Sequence, residues 1–79
     1  MSDAAPATAV VRDYAELRRA IDTVRRAKGW TMMDMDAAIG LADGHSAKLI
    51  CGTRHFGSLT LPLVLEGLGI EIVVRPRAA

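Results

Sequence analysis

The segment covering residues 31–52 constrains the fold more than any other part of the chain. Thr31 followed by Asp34 has the spacing of a capping box, which predicts that a helix starts here. Gly40 predicts the end of that helix, and Asp43 predicts the cap of another. Two short helices joined by a glycine-marked turn are typical of a helix-turn-helix unit.

The flanking sequence predicts one helix on either side of this unit. The first opens at Asp13, ends at Gly29, and repeats apolar residues at steps of three or four. Those apolar residues are Tyr14, Leu17, Ile21 and Val24. The fourth helix covers about residues 61–68, with Pro62 in its first turn and Gly69 at its end.

Composition favours a mainly α domain. A chain of 79 residues buries only roughly 60% of its unfolded surface, so it builds one small core. The sequence is 51% apolar but has only three aromatic residues, which suits small packed helices. We expect a flexible arm over residues 1–12, a compact domain over residues 13–75, and a tail over residues 76–79.

The stretch at residues 70–74 is predicted to be a short β-strand. A lone strand is not stable, so it needs a partner. It has two candidates: residues 8–11 of the same chain, or the same strand of a second copy across a two-fold axis. We favour the second copy, with a dimer interface formed by Ile70, Ile72, Val73 and Val74.

The helix-turn-helix segment resembles the lambda-repressor-like family of the Cro/cI or Xre type. The matching features are Thr31 at the cap, Met35 and Ile39 as inward residues, and Gly40 with Leu41 at the turn. Gly52 and Arg54 resemble the glycine and basic residue that often follow the recognition helix of that family. The resemblance covers about residues 13–74.

The sequence departs from the family pattern at three points. Met32 stands where a phosphate-contacting glutamine is common, and Asp36 stands where the second helix has a small inward residue. The turn from Gly40 to Gly44 is one residue longer than usual. This leaves the register of the third helix open by about one position.

The resemblance implies a homodimer that binds double-stranded DNA by placing its third helix in the major groove, most often as a repressor. Contacts are expected from the start of the second helix, the outward face of the third and the loop after it. The residues are Thr31, Met32, Gly44, His45, Ser46, Lys48, Leu49, Thr53, Arg54 and His55. The helix pattern predicts Met35, Ala38 and Ile39 as the buried face of the second helix, and Ala47 and Ile50, with Cys51 as a further candidate, as that of the third.

Charge supports this interpretation only in part. The net charge is +1, which is low for a nucleic-acid-binding protein. Residues 44–65 nevertheless contain Lys48 and Arg54 with no acidic residue. Along the first helix, Asp22 lies four residues from both Arg18 and Arg26, which predicts ion pairs on the helix surface.

A protein-interaction adaptor or antitoxin-like partner, using the same scaffold without reading DNA, is the alternative. We expect no enzymatic activity, no cofactor, no small-molecule effector and no membrane association. His45, Cys51 and His55 lack the paired spacing of metal ligands, so no metal site is expected. The single cysteine excludes an internal disulfide and suits the cytoplasm, where a nucleoid-associated protein would act.

Overall fold

Four helices make up the regular structure of residues 8–78, the part of the chain that this computed structural model describes. They are α1 Tyr14–Ala27, α2 Met32–Ile39, α3 His45–Cys51 and α4 Thr60–Leu68. The prediction of a mainly α fold with four helices is confirmed. Most of the expected N-terminal arm, residues 1–7, lies outside the described residues, as does Ala79.

The starts of α1 and α2 follow from local capping. Asp13 caps α1 by accepting the backbone N–H of Glu16 at 2.8 Å. The Glu16 carboxylate accepts the N–H of Arg12, one residue earlier than a reciprocal capping box would have it. Thr31 and Asp34 form the complete capping box at α2, with bonds of 2.8 and 3.0 Å.

The core draws on every helix. Within residues 8–78, the five buried apolar residues are Ile21 of α1, Met35 of α2, Leu49 of α3, and Val64 and Leu68 of α4. Each is at most 2% exposed. Burying a side chain of this size contributes roughly 1.5–3 kcal/mol to the free energy of folding. Because the cluster includes residues of every helix, its burial stabilises the packing of all four.

The predicted C-terminal strand is not seen among residues 8–78, which contain no β-ladder. The Ile70 N–H instead bonds to the Leu65 carbonyl at 2.9 Å, as part of the end of α4. Beyond it, Val73 is 69% exposed and Val74 is 91% exposed. A strand is defined by hydrogen bonds to a neighbour, and neither residues 8–11 nor any other described segment supplies them.

No helix within residues 8–78 combines the length and the apolar character needed to cross a bilayer.

Candidate nucleic-acid interface

Asp36 of α2 organises the turn that leads into α3. Its backbone carbonyl accepts the N–H groups of Gly40 and Leu41, both at 2.9 Å, and so ends α2. Its carboxylate accepts the N–H of Gly44 at 2.9 Å and that of Ser46 at 2.8 Å. The short helix α3 has no side-chain cap from its own N-cap residue, Gly44. Asp36 therefore caps α3 from the neighbouring helix.

The Asp36 side chain is buried, and its charge is compensated locally. Burial raises the pKa of its carboxyl. The nearby Ser46 hydroxyl, the Ser46 and Gly44 backbone N–H groups and the charge of His45 oppose this, so the pKa is lowered from 3.8. Among residues 8–78 the Ser46 Oγ forms no hydrogen bond, so we attribute the lowered pKa of Asp36 mainly to the two backbone N–H donors. The ionised carboxylate is the form that caps α3.

The face that α3 turns inward differs from the predicted one. Ser46 and Leu49 were expected on the outward face, but both are 0% exposed, and Leu49 belongs to the core. Ile50 packs against that core as predicted, whereas Ala47 is only half-buried. Ala38 and Cys51, also expected to face inward, are exposed. The prediction that Ser46 and Leu49 point outward is wrong, because Asp36 holds the start of α3 with Ser46 against α2.

The outward side of α3 brings three predicted residues together. His45 and Lys48 of α3 and Arg54 of the following loop line one open depression with Ala42 and Asp43. Lys48 and Arg54 are exposed, and His45 is half-buried. Asp43 places one carboxylate beside these basic groups, which moderates the positive potential of the depression.

The loop after α3 is anchored on the Lys48 carbonyl. That oxygen accepts the N–H of Gly52 at 3.0 Å and the N–H of Arg54 at 3.1 Å. The Thr53 hydroxyl reaches the same oxygen at 3.4 Å. Gly52 adopts a φ of 95°, which favours glycine and lets the chain turn sharply here. Arg54 is thereby held on the same side as Lys48.

Helix α1 supports this loop through Tyr14. The Tyr14 hydroxyl accepts the N–H of Phe56 at 2.6 Å, a bond between residues 42 positions apart. Its ring also lies 5.2 Å from the ring of His55, centroid to centroid. Tyr14 therefore positions the loop that carries His55 and Arg54.

Arg18 joins this surface instead of pairing with Asp22. Its guanidinium lies 5.4 Å from the centre of the Tyr14 ring. It also covers Gly52, where an added Cβ would meet its Cζ at 3.1 Å. Asp22 pairs with Arg25 at 2.8 Å and with Arg26 at 3.0 Å, so the expected pair with Arg26 is confirmed and that with Arg18 is wrong.

The start of α2 does not share the depression. Thr31 is exposed and Met32 is half-buried, but neither lines it. The Thr31 N–H is already bonded to the Asp34 carboxylate. A negative group thus lies at the helix end where a phosphate was expected, which disfavours a phosphate contact by the Thr31 N–H.

Sequence reasoning missed the roles of Asp36, Tyr14 and Arg18. Asp36 gave one usable signal: an acidic residue at an expected inward position needs buried donors, and the next helix start supplies them. Tyr14 and Arg18 gave none for their contacts with the loop, because Gly52 and Phe56 lie tens of residues away in the chain.

Potential metal ligands and the single cysteine complete the description of the reactive side chains in residues 8–78. Within residues 8–78, no group of three or more His, Cys, Asp or Glu side chains is arranged to hold a metal ion. The exposed Cys51 thiol lies 3.5 Å from the Thr53 hydroxyl, and this hydrogen bond lowers the pKa of the thiol. No histidine or carboxylate forms a hydrogen bond with this thiol in the described part of the chain.

Comparison with protein-family models, curated proteins and solved structures finds no match for this chain.

Proposed function

We propose that this protein binds double-stranded DNA sequence-specifically as a homodimer and acts as a small transcriptional repressor. In this proposal α3 enters the major groove with His45 and Lys48 toward the bases, while Arg54 contacts the backbone. Gly44, Thr53 and His55 lie at the margins of the contact. Ser46 and Leu49 hold α3 in place from the core side.

The observation that carries the proposal is the shared depression lined by His45, Lys48 and Arg54 on the outward side of α3. A lysine can bond to guanine or to phosphate, a histidine can donate to or accept from base edges, and an arginine can hold the backbone. Helix α3 packs against α1 and α2 and is capped by Asp36. The His45 and Lys48 side chains therefore project from a helix that is held in place.

A protein-interaction adaptor is the second candidate, and exposed apolar residues favour it. Val10 and Ile72 are 45% and 52% exposed and line one long groove. Asp43 in the basic depression and the net charge of +1 also weaken the attraction to DNA. This candidate has the groove, not α3, as its binding surface.

Selection of bound duplexes from a random DNA pool tests the proposal. A DNA-reading dimer should enrich a two-fold symmetric site with half-sites about one helical turn apart. Substitution of His45 by alanine should then relax the preference at one base position in each half-site, by ~1–3 kcal/mol. Folded protein that enriches no site at low salt would contradict the proposal and favour the adaptor.

A further inference from the structure

An open apolar groove runs between the two terminal segments of the described chain. Residues 8–12 and 70–78 line it together with apolar residues of α1 and α4. Those helical residues include Leu17, Ile21 and Val24 of α1 and Leu65 and Leu68 of α4. We call this surface the terminal groove. Contiguous apolar surface of this kind usually marks a contact with another molecule.

The C-terminal side of the terminal groove has unpaired backbone as well as exposed apolar side chains. Within residues 8–78, the N–H and C=O groups of residues 71–75 form no backbone hydrogen bonds. Ile72, Val73 and Val74 are 52%, 69% and 91% exposed. Free backbone groups beside exposed β-branched residues form an edge that can pair with another strand.

We infer that a second copy of this chain covers the groove, with its residues 71–75 paired antiparallel to the same residues of the first copy. The sequence Glu71-Ile72-Val73-Val74-Arg75 is self-complementary when the two-fold axis passes at Val73. In that register, Glu71 of each copy lies directly opposite Arg75 of the other. Opposite charges facing each other across an antiparallel pair are stabilising, and like charges there are destabilising.

Side-chain alternation suits the same register. Residues 72 and 74 project to one side of a strand, and residues 71, 73 and 75 project to the other. Ile70 already packs against the core, so Ile72 and Val74, which share its parity, face the groove in a strand continued from it. The charged Glu71 and Arg75 then point to solvent, where their cross-strand pairs form.

Pro76 selects the hydrogen-bonding pattern. Proline has no N–H, so it must occupy a position whose backbone does not donate to the partner strand. Opposing pairs in an antiparallel ladder alternate between bonded and non-bonded. If the two Val73 residues form a hydrogen-bonded pair, Glu71 of one copy and Arg75 of the other form the next hydrogen-bonded pair. Pro76 then lies opposite Ile70 at a non-hydrogen-bonded position.

This inference deepens the dimer of the proposed function and rests on it, but its test uses no DNA. Sedimentation equilibrium of the full chain measures the dimer dissociation constant for the natural sequence and for Glu71→Arg, Arg75→Glu and the double variant. Each single variant places like charges in both cross-strand pairs, so it should weaken the dimer roughly tenfold or more. The double variant restores opposite charges and should return to within about threefold of the natural chain.

Arg77→Glu is the matched control, since it changes the net charge as Arg75→Glu does but lies beyond the paired residues. It should leave the dissociation constant within about twofold, and circular dichroism should show the same helix content in every variant. A monomeric natural chain at micromolar concentration would overturn the inference. Single variants without effect, or a double variant that is not restored, would overturn this register.

The two proposals fail separately in these experiments. A chain that dimerises without DNA but enriches no duplex contradicts DNA reading alone. A monomer that still enriches a DNA site contradicts the dimer and leaves the reading surface of α3 in place.

Discussion

Asp36 shows how one buried side chain can set the geometry of a whole unit. Its carbonyl ends α2 and its carboxylate caps α3, so the residue acts on both sides of the turn. A hydrogen bond to a charged group contributes about 1.5–3 kcal/mol, and a cap typically contributes about 1 kcal/mol. We therefore expect the carboxylate to determine the stability of α3 and the placement of His45 and Lys48.

Asp36→Asn should lower the free energy of unfolding by ~1–3 kcal/mol at pH 7, because the amide retains only part of the capping. Urea denaturation measures this, with Asp43→Asn as control. Asp43 is exposed and forms no side-chain hydrogen bond among residues 8–78, so its substitution should change stability by less than about 0.5 kcal/mol.

The difference between the natural chain and Asp36→Asn should depend on pH. The folded-state pKa of Asp36 lies below its unfolded value, so the folded state favours the ionised form. This stabilisation is fully present above the unfolded value, near 3.8, and is lost as the pH falls through the lower folded-state pKa. The two proteins should thus approach equal stability in acid. A gap that stays constant down to pH 2 would contradict this role for the carboxylate.

At the scale of elements, α2 and α4 meet so closely that a glycine is required in the interior of a helix. An added Cβ at Gly67 of α4 would lie 2.6 Å from Cγ1 of Ile39 and 3.5 Å from its Cα. Glycine within a helix ordinarily costs about 1 kcal/mol relative to alanine. The close approach of the two helices explains why it is found here.

Gly67→Ala should destabilise the protein by ~1–2 kcal/mol, even though alanine favours the helix, because the methyl group overpacks the contact with Ile39. Ile39→Ala removes Cγ1 and should make the Gly67→Ala substitution neutral or favourable in the double variant. A double-mutant cycle by urea denaturation measures this coupling. Stabilisation by Gly67→Ala alone would show that the Ile39 side chain moves aside at little cost.

At the scale of the whole molecule, the basic depression and the terminal groove are two separate surfaces with different lining residues. His45, Lys48 and Arg54 line the depression, whereas the groove is lined mostly by apolar residues and also by Arg12, Lys28, Glu71, Arg75 and Arg77. With a net charge of only +1, the chain has little general attraction to DNA. Any specific binding must then depend on where the positive charges lie.

Arg54→Ala should weaken DNA binding and reduce the salt dependence of the association constant by about one phosphate contact, a slope change of ~0.9. Lys28→Ala removes the same charge from a side chain that lies over the Trp30 ring and lines the groove. It should leave both the affinity and the slope unchanged. Fluorescence anisotropy over a range of salt concentrations compares the two variants. Equal losses would place the DNA contact away from the basic depression.

The sequence by itself determined the four helices and most of their ends, although the prediction that Asp43 caps α3 is wrong. Asp13, Thr31 and Gly40 set helix boundaries through hydrogen bonds and backbone angles within about four residues, and local sequence encodes such interactions directly. The α4 helix began only one residue before its predicted start. The apolar stripe of α1 was likewise readable, since Leu17 and Val24 pack against the core beside buried Ile21.

Only the tertiary structure decided which face each helix presents and what each charge contacts. Leu49 and Ser46 of α3 turned inward because Asp36, ten residues before Ser46, holds the helix start. Arg18 contacts the Tyr14 ring and Gly52 instead of pairing with Asp22. The predicted strand is not seen among residues 8–78 of one chain, because pairing depends on a partner in space and not on the residues of the strand alone. Local hydrogen bonds are specified by neighbours in sequence, whereas burial and partner choice are specified by neighbours in space.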